Sequence, residues 1–421
     1  MTDSVALLLR RAGFGPTAAE LDAARRQGYA VTVAGLVAPI GADNGAARAP
    51  FPVLPVDPYT YFTRPPTATE AAAADVVREE SVQKITRWWL DRLVVADHQG
   101  LEKLAFFWHG HWATSVKKVR DARLLLRQHQ LLRMTSFAEM AREMVRDPAL
   151  LHWLDNQLNS RSKPNENLGR ELMELFLLGI GNYTETDVKE AGRALTGWKI
   201  DYRRARSYFD RRDYDPSPKT ILGTTRNFTA RSLVDFLLAQ PVCPRFVSAR
   251  MWFRYGSAIE PIPASTSDRM AAAFPDGPSM LRALVEDEAF LTTAGTMAKQ
   301  PVEWLVGAMR QLGVRLTDLP KQAQDEMVIG LEALGQLPFA PPSVGGWPNS
   351  NAWLTTGATQ IRLGLAGILA GAVDVRLSVE ELAAVLAVET WTSRTYDSLK
   401  DVTDPTHRLI LGLMSPEYMV S

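Results

Sequence analysis

Glu171 and Glu174 are the residues whose type and spacing best suit acid–base chemistry, because Arg170 lies beside the first and four positions before the second. On a helix turning about 100° per residue, Asn167, Arg170, Glu171 and Glu174 share roughly a third of the circumference, and Leu168, Leu172, Met173, Leu175 and Phe176 fill the other side. Leu177 and Leu178 border the polar stripe, so it is expected to face an interior or a cleft rather than open solvent. A buried carboxylate requires a partner or a displaced pKa. Arg170, which also follows Glu166 by four residues, is expected to neutralise the pair in part. Two carboxylates beside one guanidinium suit a general acid and a general base, and equally suit a structural ion network. In the catalytic reading Glu171, Glu174, Arg170 and Asp155 form the centre. Asn156, Asn165, Glu166, Asn167, Tyr183, His109, His111, Trp198 and Trp347 then contact the substrate, with Trp347 as an aromatic platform.

To hold that stripe the chain needs a helix over 166–178. Asn165-Glu166-Asn167, following Pro164, offers its N-cap, and Gly179 and Gly181 supply its stop. A second helix opens at Thr184 with Asp187 in the capping-box position. Val188, Ala191, Leu195 and Trp198 are expected to form its apolar face, with Glu190 and Arg193 paired on the other side. Upstream, Asp147-Pro148 begins a helix that delivers Asp155 and Asn156 towards the glutamates. Asn156 and Asn159 also suit caps and turns.

Leu101 to Thr114 reads as a helix carrying Phe106, Phe107, Trp108, His109, His111 and Trp112. Residues i and i+2 point about 200° apart, so His109 and His111 can ligate one ion only if the helix breaks at Gly110. Joined by Asp155, Glu171 or Glu174, His109 or His111 would suit a divalent transition metal such as Fe, Mn or Zn. That metal is the alternative cofactor and none is favoured, since the chain lacks a Glu-x-x-His pair. Cys243 is the only cysteine, which excludes an intrachain disulfide and a multi-cysteine metal cage.

The blocks LLRRAGFGPT, FWHGHWATS, RDPALLHWLDNQLN, NENLGRELMELFLLGIGNYTETDVKEAGRALTGW, KTILG and PPSVGGWP resemble, in this order, the bacterial family called domain of unknown function 1800. The likeness runs from about Leu8 to Trp353. It implies a shared fold and brings no activity with it. One departure is Tyr214-Asp215-Pro216-Ser217-Pro218-Lys219, where many relatives read His-Asp-x-Gly-x-Lys.

With 421 residues, 46% hydrophobic, the chain can bury a large core. Lys plus Arg equals Asp plus Glu at 47 each, so nothing in the net charge favours nucleic acid or an anionic membrane. No apolar run reaches the length of a membrane span, and the N-terminus lacks a basic segment before an apolar one. As written the chain is expected to be cytoplasmic, although relatives often look exported. Helical periodicity without alternating strands predicts an all-α, multihelical domain over 1–421. Within it, 38–67 should be a long surface loop, 155–198 the active-site core and 199–228 a flap or small β element. Six Arg in that excursion suit a solvated loop or an anionic substrate group. The expected function is a hydrolase or lyase acting on a polar small molecule or glycan. A metal-dependent enzyme and a non-catalytic scaffold that binds a protein partner remain open alternatives.

Overall fold

Short capped helices account for most of the backbone in the computed structural model, which describes residues 3–421. Helices take 59% of it and strands 5%, so the chain is all-α with β structure confined to one excursion. Capping boxes at Thr17, Thr67, Thr184, Thr229 and Ser378 explain why helices start where they do: each hydroxyl accepts the N3 amide while the N3 side chain accepts the cap amide. Among the described residues no helix is long and apolar enough to cross a membrane.

The longest helix, Ala68–Val95, buries Trp88 and Trp89 and is followed at once by the aromatic helix Gln99–His111. The latter is a shared wall. Phe107 and Trp108 belong to an apolar cluster with Trp112, Phe137, Phe176 and Tyr255. Phe106, one residue earlier, belongs to a second cluster with Trp89, Trp304, Phe339 and Tyr418. Every residue of this helix except Leu101 is buried, which removes the polar face a surface helix would show.

The 199–228 excursion is a pair of antiparallel hairpins. Strand β1 (Trp198–Asp201) pairs with β2 (Arg206–Phe209), Trp198 opposite Phe209, and β3 (Lys219–Ile221) pairs with β4 (Thr224–Arg226). Trp198 is therefore not on the helix expected to carry it: Glu185–Ala194 ends first, and Gly197 at φ 89° turns the chain into β1. The helix expected over 166–178 divides into an α segment, Asn167–Glu171, and a π-helix, Leu172–Leu177. The loop at 38–67 contains short helical turns at Asn44–Ala47 and Pro58–Tyr61. Tyr59 anchors it to the long helix through Asp75, with Arg78 lying 3.8 Å over its ring. Tyr29–Val37, Ala264–Ala272 and Ser393–Lys400 are helices without an expected counterpart. The first, YAVTVAGLV, is so uniformly apolar that it shows little period for a pattern to detect.

Candidate active site

The stretch that leads into the glutamates is fixed by an amide ladder. Helix Pro148–Trp153 is capped by Asp147; the chain then passes Asp155 in the left-handed region (φ 59°) and makes a single 3-10 turn at Asn156–Leu158. Asn156 and Asn159 are fully buried. Asn156 donates to Leu195 O at 3.1 Å and accepts from Asn159 Nδ2 at 3.0 Å. Asn159 Nδ2 also donates to Gly192 O (2.8 Å), and its Oδ1 accepts the Asn165 amide (2.8 Å). Asn165 in turn accepts the Asn167 amide at 2.9 Å, so Asn156 and Asn159 fasten the turn to the end of helix Glu185–Ala194 and Asn165 carries the ladder to the next helix start. Glycines let the two helices touch: a Cβ on Gly192 would stand 2.8 Å from Asn165 O, and one on Gly169 would stand 2.9 Å from Gly192 N. Asn156 and Asn165 thus serve the fold, while Asn167 lies exposed at the helix start.

Arg170 does not pair with Glu171 or Glu174 as expected. Its guanidinium forms a fork with Glu185 (2.7 and 2.6 Å) and reaches back to Glu166 at 2.9 Å. Both carboxylates hold Arg170 above its ordinary range. Glu171 is left half-buried and, among the described residues, without a hydrogen bond or ion pair. Burial and then the neighbouring Glu174 raise its pKa, against a smaller opposing effect of Arg170. Glu174 accepts a 2.5 Å hydrogen bond from Tyr183 Oη. Burial and that bond push the Tyr183 phenol up.

The π-helix underlies this geometry. Leu178 N bonds to Met173 O five residues back at 2.9 Å, and Gly179 N shares the same carbonyl at 3.0 Å. The widened turn leaves Phe176 O to accept from His111 Nε2 at 3.0 Å. That bond places the ring proton of His111 on Nε2, whereas His109 Nε2 accepts the Phe339 amide at 2.9 Å and so carries its proton on Nδ1. Burial lowers both imidazoles to about 3, with Arg250 adding to the effect at His111. The two rings therefore meet different surroundings. His109 packs against Trp89, Phe339 and Trp347, and His111 against Trp108, Phe137 and Phe176. Among the described residues no three His, Cys, Asp or Glu side chains come together to hold a metal ion, and neither histidine bonds to Glu171 or Glu174.

The remaining expected contacts lie apart from the glutamates. Asp155 pairs with Lys118 at 2.7 Å. Trp198 packs on Phe209. Trp347 is 4% exposed and stacked on Phe106, so it is an interior wall rather than an open platform. The Tyr214 to Lys219 segment is also spent on structure: Tyr214 donates to Asn227 and to Phe228 O, Asp215 accepts from Arg193 at 2.7 Å, and buried Lys219 donates to Asp215 O.

Lys103, Arg254, Tyr255, Gln300 and Glu303 lie outside the residues expected from sequence, yet they surround a cavity of about 20 Å³ behind Trp347. The signal for two of them was present: Lys103 borders the apolar run LAFFW and Glu303 sits inside the run PVEWLVGAM.

These features define an all-α protein with a half-buried carboxylate pair at a π-helix. The sequence matches the family model "Protein of unknown function (DUF1800)" over residues 7–420, and the chain belongs to that family. No curated protein and no solved structure matches it.

Proposed function

We propose that the chain is an acid–base enzyme, a hydrolase or lyase for a polar substrate, in which Glu171 is the general acid and Glu174 the general base. The observation that carries this reading is the asymmetry of the pair. Glu171 is half-buried with no hydrogen-bond partner among the described residues, and burial and Glu174 raise its pKa; Glu174 is held by Tyr183 Oη at 2.5 Å. Burial and the neighbouring carboxylate favour the protonated form of Glu171, which suits a general acid. Tyr183 orients the base, and Arg170, saturated by Glu166 and Glu185, keeps the helix start rigid. A glycan is one substrate class with suitable chemistry.

A panel of chromogenic glycoside, ester and lyase substrates, read with the wild type and with Glu171→Gln and Glu174→Gln, tests the proposal. An activity should fall by about a hundredfold or more in each variant, with the thermal midpoint unchanged or raised. Full activity in both variants would end the assignment. The engaged state of Arg170 and of the asparagine ladder favours a second reading, a rigid non-catalytic scaffold. Under that reading the two variants lower stability and alter no reaction.

A further inference from the structure

The cavity behind Trp347 lies among more positive than negative charge. Lys103, 5% exposed, meets Glu303 Oε1 at 2.6 Å, and Glu303 Oε2 accepts the Gln300 amide at 2.9 Å, so both oxygens of that carboxylate are engaged. Arg254, half-buried, donates to the neutral carbonyls of Trp347 and Pro348 and, among the described residues, to no carboxylate. Arg11, buried close by, donates to Tyr255 O, Gly256 O, Thr293 O and Ser421 O and to Met297 Sδ. Glu303 is the carboxylate whose field acts on Arg11, Lys103 and Arg254 together. Two further donors are unmet: among the described residues, Tyr255 Oη, fully buried, and Trp347 Nε1 have no hydrogen-bond partner. Buried cations and orphaned donors are costly unless an acceptor joins them, and an anion satisfies both needs where water satisfies only the second.

We propose that this cavity binds the carboxylate of a small organic acid, held by Arg254, Lys103 and the Tyr255 hydroxyl. Size selects the anion. About 20 Å³ admits one or two water-sized groups, which suits a flat carboxylate and is small for a tetrahedral phosphate. The site is formed by the meeting of two sequence blocks, FWHGHW and GGWP. A Cβ on Gly346 would stand 2.2 Å from Gly110 O, so the loop closes the cavity only because glycine lies there.

The test is calorimetric titration of the full chain with sodium formate and sodium acetate, against sodium chloride at equal ionic strength. Saturable binding of formate or acetate is expected, about tenfold weaker in Tyr255→Phe, which removes only the hydroxyl, and absent in Arg254→Gln. Circular dichroism confirms that each variant is folded. Glu171→Gln should bind as tightly as the wild type, which keeps this site separate from the carboxylate pair. Heats that match chloride, or equal affinity in Tyr255→Phe, would overturn the proposal.

Discussion

Asn159 uses both ends of its amide inside the protein, and truncating it removes the hydrogen bonds to Gly192 O, to Asn156 Oδ1 and from the Asn165 amide in a buried site. Asn159→Ala should therefore destabilise the protein by about 2–4 kcal/mol. Asn167→Ala, eight residues later and exposed, should change stability by less than about 0.5 kcal/mol. Urea unfolding of the two variants decides between the readings of this ladder: equal, small losses would show that the asparagines are not structural and return them to the substrate. The same contrast governs the charged residues. Arg170 and Glu171 are adjacent in sequence, yet one is fully engaged by Glu166 and Glu185 and the other has no partner among the described residues. Spacing brought Arg170 within reach of three glutamates, and only the fold shows that the more distant Glu185 takes the fork.

At the scale of elements, the start and stop signals were legible because caps are local. Thr184 with Asp187, and Thr17 followed by Gly28, stand where the hydroxyl and glycine rules put them. The π-helix was not legible, since LMELFL has the composition of any apolar helix and the contact of Phe176 O with His111 Nε2 joins residues 65 positions apart. Trp198 was misplaced for a related reason: an apolar residue at helical spacing continues a period on paper even after Gly197 has turned the backbone. The GGWP loop gives a test at this scale. Gly346 has φ 82°, and a side chain there would strike Gly110 O, so Gly346→Ala should lift the loop from the aromatic helix. Trp347 would then enter water. The expected readout is a red shift in tryptophan emission and a loss of roughly 2–4 kcal/mol of stability; an unchanged spectrum would mean that the loop does not depend on that contact.

Across the whole molecule, equal numbers of acids and bases conceal an interior whose buried titratable groups pull stability in opposite directions with pH. Burial lowers His109 and His111 from the ordinary 6.5 to about 3, and holds His129 well down as well. The unfolded chain takes up these protons as pH falls below 6.5 and the folded chain does not. Their contribution is complete above 6.5 and is lost towards 3, at about 2 kcal/mol per histidine by pH 5. Asp147 has the opposite sign. Burial raises its carboxyl from 3.8 to about 7, against hydrogen bonds from Leu150 N and Gln128, and its Oδ2 has no partner among the described residues. The folded state holds that proton more tightly than the unfolded one, so its contribution is complete below 3.8 and is lost as pH rises to about 7, by up to about 4 kcal/mol. Asp147→Asn keeps the cap on helix Pro148–Trp153 and cannot ionise. Measured by urea unfolding from pH 4 to 8, the variant should gain on the wild type steadily between 4 and 7 and hold that advantage at 8, while both proteins weaken alike on the acid side as the histidines demand. A difference that stays flat across the series would mean that Asp147 is already ionised in the folded protein and that the hydrogen bonds from Leu150 and Gln128 outweigh its burial.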